Sequence, residues 1–196
     1  LFEETKEKKK SHYVVDNQEI DHENEQLEKT IKSIIKNNAF TIGTKFDTYS
    51  FANPDELLMK EIAPNLIDVE GKQIPIGTFI SVAEALDIAI EFDKNVIIKT
   101  FRDVRKKQFT YEVAVNISIS SMCDDNFINW LEAQALYEYK DVLDRVVFSV
   151  TSFAVNTNFE KFQLFTQRLK QINAKILLKR YNYNDLSIKS LLHTLY

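Results

Sequence analysis

Hydrophobic positions along this chain fall into helical stripes interleaved with short apolar strands. Leu27, Ile31, Ile34 and Ile35 recur at helical spacing, so the pattern predicts an amphipathic helix over 26–36. Turn-forming sequence follows around Asn53-Pro54, Ala63-Pro64 and Glu70-Gly71-Lys72. From Thr78 the pattern becomes regular. Phe79, Val82, Ala83, Leu86, Ile90 and Phe92 predict one helix, and its stripe resumes at Val96, Ile97 and Phe101. Tyr111, Val113, Val115 and Ile117 alternate with other residues, the signature of a strand. Asp124 or Asp125 can cap a helix running through Phe127, Trp130, Leu131 and Leu136. Apolar runs at 146–150 and 175–178 predict two more strands. Phe159, Phe162, Phe165 and Leu169 mark a helix between them, and 186–195 predicts a last one.

Strands alternating with helices mean βαβ units and a parallel sheet, so the fold class is α/β. The short connections leave two architectures, a doubly wound sheet or a (β/α) barrel. Both place function at the carboxyl ends of strands. Those ends carry Asn116 and Ser118, then Ser149 and Thr151, then Lys179 and Arg180.

Composition narrows the chemistry. The 196 residues are 44% hydrophobic, enough for a core and too many for disorder. A net charge of −4 argues against nucleic acid as the main partner, because phosphate backbones need a basic face. No apolar run approaches the roughly 18 residues of a membrane span. No secretory signal is present, which predicts a cytoplasmic location. The single cysteine, Cys123, excludes an internal disulfide and multi-cysteine metal sites; its acidic neighbours Asp124 and Asp125 would not activate a thiol. All three glycines and all three prolines lie between Gly43 and Gly77, so no glycine-rich phosphate loop exists and kinases, GTPases and dinucleotide dehydrogenases are poor readings.

Four segments resemble one family in order and spacing. QIPIGTFISVAEALDIAIEF, residues 73–92, is similar to the proline turn and helix of the EAL domain, the bacterial cyclic-di-GMP phosphodiesterase fold. VAVNISISSM, residues 113–122, resembles that family's VNLS strand, and RVVFSVTSFAV, residues 145–155, its EITES strand. ILLKRYNYNDLSIKSL, residues 176–191, lines up without gaps on LALDDFGTGYSSLSYL. The resemblance covers residues 39–196. The opening LFEETKEKKKSHYVV is similar to the last helix and strand of a GGDEF domain, which gives three parts: a GGDEF tail over 1–20, a linker helix over 21–38 and the EAL-like domain over 39–196.

The resemblance implies a (β/α) TIM-type barrel, and metal-activated water attacking a phosphodiester at its carboxyl face. Active relatives hold Mg or Mn through oxygen ligands. Glu61 falls on the glutamate of the EAL signature, which reads Glu61-Ile62-Ala63 here, thirteen residues before the Ile74-Pro75 turn. Asn116 falls on the metal-binding asparagine. The other positions depart from the pattern. The EITES glutamate is Ser149, the DDFG aspartates are Lys179 and Arg180, the phosphate-binding arginine is Asn65, and the nucleotide-contacting glutamine of the first strand is Lys45. Replacing two aspartates by Lys179 and Arg180 takes that point from −2 to +2, repulsive toward a dication. The resemblance therefore implies a degenerate EAL domain with no catalytic residues, no bound metal and no cofactor. It also implies three further strands after this segment; the barrel is incomplete at Tyr196, and missing residues are the favoured reason, since an open edge is an aggregation hazard.

Three functions follow as expectations. The first is an inactive domain acting through protein contacts, with a protein partner or a GGDEF domain, or as a homodimer, in a parent protein open to membrane attachment upstream. The second is a cyclic-di-GMP receptor, with Lys45, Asn65, Lys179 and Arg180 as ligand-binding positions. The third and weakest is an active phosphodiesterase. A lone Glu61 at the barrel mouth would be a stranded carboxylate, so an ion pair from Glu61 to Lys179 or Arg180 is expected where the cation sits in active relatives. Arg180 is the better candidate for a bidentate contact, and Lys179 the nearer to the strand end. Phe148, Phe153, Phe159, Phe162 and Phe165 read as packing, His12, His22 and His193 as surface residues, and Lys8, Lys9 and Lys10 as a solvated helix face.

Overall fold

The computed structural model describes residues 23–181. The predicted opening helix is present as α1, over 23–36. Its Ile31, Ile34 and Ile35 are buried, which gives this otherwise charged helix the docking surface it needs. That surface is helix α3 (Ala89–Lys107): Asn95 donates to the Ile35 carbonyl at 3.3 Å, and Phe40 packs on Phe92 with centroids 5.1 Å apart. The GGDEF-like segment, the three histidines, Lys8–Lys10 and the last predicted helix lie outside the described residues.

Five strands make one sheet in the order β1-β2-β3-β4-β5. They are β1 (Thr41–Tyr49), β2 (Leu57–Asn65), β3 (Glu112–Asn116), β4 (Val146–Thr151) and β5 (Lys175–Lys179). From β2 onward each pair is parallel. β1 is the exception, antiparallel to β2 in a hairpin that the turn-rich reading of 53–64 did not anticipate. Ala63-Pro64 lies within β2 rather than in a turn. Pairing of β2 with β3 ends at Glu61, so the proline's missing N–H costs no bond on that side.

The single helix expected over 79–92 is two, α2 (Ile76–Ala85) and α3. Asp87 breaks them with φ of 56°, a left-handed value that a helix interior does not allow. After β3 come α4 (Ile119–Cys123) and α5 (Asp125–Ala133), the latter capped by Asp124, whose carboxylate accepts from the Phe127 N–H at 2.6 Å. The stripe that reached Leu136 continues as one π-helical turn, Gln134–Glu138. Between β4 and β5 lie α6 (Ser152–Thr157), which the pattern did not predict, and α7 (Phe159–Gln171).

Helices cover one face of the sheet. Val113, Val115, Val146, Phe148 and Val150 meet them there, together with Phe79, Phe92, Phe101, Phe127, Phe162 and Phe165. Phe101 stacks on Tyr139 at 4.9 Å and meets Phe148 edge-on at 6.5 Å. Phe153, expected in this core, is instead 67% exposed on the short α6. Among the described residues no helix is long and apolar enough to cross a membrane.

Candidate functional site

Strand alternation sends every second residue to the face opposite the helices. Glu61 pairs with Ala114 on β3, Asn116 with Ser149 on β4, and Ser149 with Leu177 on β5, so Lys179, two residues on, shares their face. Four strands thus contribute one side chain each to a single polar cluster. Sequence positions 118 residues apart meet there.

The cluster closes on itself. Lys179 Nζ lies 2.6 Å from Glu61 Oε2 and donates to Asn116 Oδ1 at 3.0 Å. Asn116 Nδ2 donates to the other Glu61 oxygen at 2.8 Å, and Ser149 Oγ donates to Asn116 Oδ1 at 2.7 Å. The asparagine amide is therefore oriented by its partners: its oxygen faces two donors and its nitrogen faces a carboxylate. Ser149 is buried, and the Glu61 and Lys179 side chains keep only 19% and 22% of their exposure. Partial exclusion of water strengthens this pair over a surface ion pair.

The ion pair expected from the sequence is present, and its basic partner is Lys179. Arg180 does not share it. Its side chain is exposed, its backbone turns left-handed at φ 53°, and its carbonyl accepts from Ser152 Oγ at 2.7 Å. Lys45 is also exposed, with its Nζ 5.4 Å from the Phe46 ring. Lys45 and Phe46 together stand opposite Glu61 at a bulge in the β1–β2 ladder. Asn65 ends β2, exposed. Of the seven positions singled out, the structure brings Glu61, Asn116, Ser149 and Lys179 into contact and assigns Lys45, Asn65 and Arg180 no contact with that cluster.

Beside the cluster, at the helix-covered side of the β2 and β3 ends, lies a mostly apolar cavity of about 230 Å³, lined by Pro64, Ile80, Phe92, Asn116 and Ile119 among others. Asp93 of α3 also lines it. This carboxylate is buried, and desolvation pushes its pKa from 3.8 up to about 6 although hydrogen bonds from Ser118 and Ser121 pull the other way. Sequence reading passed over Asp93. The available signal was its placement: it lies four residues after Ala89 and four before Ile97, on the buried stripe, where an unpaired charge rarely sits. Cys123 is partly buried, and burial raises its thiol pKa, in keeping with an unreactive side chain.

The solved structures place this arrangement in a known fold. Vibrio cholerae LapD S helix-GGDEF-EAL bound to c-di-GMP superposes with a TM-score of 0.74 at 20% identity, over 87% of this chain and 41% of that S helix-GGDEF-EAL chain. The FimX EAL domain from Pseudomonas aeruginosa bound to c-di-GMP gives 0.73 at 17% identity, over 85% of this chain and 67% of that EAL-domain chain. The PaMucR phosphodiesterase in complex with c-di-GMP gives 0.67 at 14% identity, over 78% and 64%. The chain thus spans well under half of the LapD chain that it matches. A comparison with curated proteins returns no match. The sequence pattern of the EAL domain family matches residues 58–194, from the middle of the β1–β2 hairpin onward and over more than half of the chain. This protein belongs to the EAL domain family.

Proposed function

We propose that this EAL domain does not hydrolyse cyclic-di-GMP and serves a cytoplasmic cyclic-di-GMP signalling protein through contacts with a protein partner. One observation carries the reading. The Lys179 ammonium sits 2.6 Å from the Glu61 carboxylate and 3.0 Å from the Asn116 oxygen, the two groups that match the family's metal ligands. A dication there would have to displace an ammonium already held by both oxygens. The donor set also lacks the acids that would favour the exchange, because Ser149, Lys179 and Arg180 stand at the family's acidic positions. These residues do not suit Mg or Mn. The test is incubation of the chain with cyclic-di-GMP and magnesium or manganese. No linear product above a no-enzyme control is expected; clear turnover would overturn the proposal.

A second reading, a receptor that binds cyclic-di-GMP without cleaving it, is favoured by the likeness to LapD and FimX, both solved with that ligand. Phosphate affinity would then come from Lys179 and from the exposed Arg180 and Lys45 rather than from a metal. Calorimetric titration with and without magnesium separates the readings. A receptor gives metal-independent heats that weaken with salt, and an interaction module gives none.

A further inference from the structure

Asp93 lies outside the polar cluster yet is tied to the strand that feeds it. It projects from α3 into the cavity beside the β3 end, 3% exposed, and its Oδ2 accepts the Ser118 N–H at 2.8 Å. Ser118 stands two residues after Asn116 and caps α4. Its Oγ accepts from the Ser121 N–H at 3.2 Å and contacts the Ser121 hydroxyl at the same distance. The β3–α4 turn thus hangs on one buried carboxylate, and Asn116 is the last residue of β3 before that turn.

We propose that Asp93 is a positioning residue for Asn116: as a carboxylate it grips the Ser118 N–H and holds the β3–α4 turn, and on protonation it loosens that grip and lets Asn116 shift against Glu61 and Lys179. The chemistry is general. A hydrogen bond to an ionised acceptor is roughly twice as strong as one to a neutral acceptor, so taking up one proton weakens the grip without removing any atom. Burial raises the Asp93 pKa to about 6, which brings the change into a range where mild acidity works it. Other charged groups nearby are few. Glu84 of α2 lines the same cavity, and its charge raises Asp93 further. Lys94, next on α3, turns to the Trp130 ring, Asp124 is occupied in capping α5, and Cys123 ends α4. From β2 the cavity receives Ile62 and Pro64, neither of which titrates. A buried ionisable group held at a cavity beside the family's site is where perturbed pKa values gather for a purpose.

The experiment is an amide NMR titration of the chain across mild acid to neutral pH, with no nucleotide present, so its outcome is independent of the receptor reading. In the wild type the Ser118 amide and the Asn116 side-chain amide should move together with one midpoint near 6. In Asp93→Asn both should stay still across the same range. Movement of Ser118 without Asn116, or an unchanged transition in Asp93→Asn, overturns the proposal. Should that variant fail to fold, hydrogen exchange on the wild type decides. Protection of the Ser118 amide, corrected for intrinsic rates, should fall roughly tenfold on acidification, and constant protection would overturn the idea.

Discussion

Removing the Lys179 ammonium while keeping its stem, as in Lys179→Met, asks how much the cluster relies on that charge. The ammonium now meets one carboxylate oxygen at 2.6 Å and one amide oxygen at 3.0 Å. At about 4 Å and an effective dielectric near 20, the charge pair is worth roughly 4 kcal/mol before desolvation is counted. Desolvation offsets part of this, since both side chains keep only about a fifth of their exposure. A stranded carboxylate can also escape by taking up a proton. For an ordinary glutamate at neutral pH that costs about 4 kcal/mol, which caps the penalty of the substitution. Between these limits Lys179→Met should destabilise the chain by about 1–3 kcal/mol at neutral pH. Urea unfolding followed by circular dichroism measures it, with Glu61→Gln and the double variant completing a cycle. Lys179→Met should cost at least about 1 kcal/mol less in the Glu61→Gln background than in the wild type. Equal costs in the two backgrounds would show that the ion pair contributes nothing, and with it the account of the site as self-neutralised would fall.

Other expectations are as direct. Lys179→Asp restores a second acid beside Glu61 and Asn116, so millimolar magnesium should raise its melting temperature and leave the wild type unmoved; saturation a hundredfold above the dissociation constant would add about 2.7 kcal/mol. Asp93 titrates near 6 when folded and near 3.8 when unfolded, so folding binds a proton between those values. The raised folded pKa means that Asp93 opposes folding above about pH 6 and ceases to do so as the pH falls toward 4. The rise from 3.8 to about 6 sets this at roughly 3 kcal/mol, and Asp93→Asn should flatten that part of the stability–pH curve, read by urea midpoints. Asp124→Ala removes the α5 cap and should cost about 1 kcal/mol in the same assay. Ile31→Ala opens a fully buried position under α1 and should cost about 2–4 kcal/mol, with faster amide exchange through 26–36.

The parts of the fold that sequence pattern revealed are those where burial leaves one option. β4 and β5 are short apolar runs, and β3 alternates cleanly, so each stands within a residue or two of its expected place. β1 was implied only by the family resemblance at Lys45 and not by the periodicity, because most of it is exposed and threonine-rich, which leaves no apolar period to follow. β2 was hidden by Pro64, a residue that marks turns in most contexts and is tolerated here because the β3 ladder has already ended. The α2–α3 break was masked because the apolar stripe continues in register across Asp87. The Glu61 ion pair could be anticipated since a lone carboxylate at a strand end needs a basic partner. Choosing between Lys179 and Arg180 required the backbone, which turns left-handed at Arg180 and carries its side chain outward. Asp93 was overlooked for the opposite reason: its effect runs through a backbone N–H contributed by Ser118, a partner that no side-chain pattern displays.

The closed cluster on the sheet also bears on how the chain chooses its pairing. Parallel strands join residues far apart in sequence, and apolar runs such as Lys175–Lys179 carry little information about which neighbour faces which. A slip of β5 by one residue would send Lys179 to the helix-covered side and bring Leu178 to Glu61 and Asn116. The misaligned sheet would bury an ammonium among Val150 and Phe148 and leave a carboxylate facing a methyl group, two penalties for one error. The residues that stand where relatives hold a cation therefore act as a key that fits a single alignment of four strands. That key is polar, and it supplies the alignment signal that the apolar strands themselves lack.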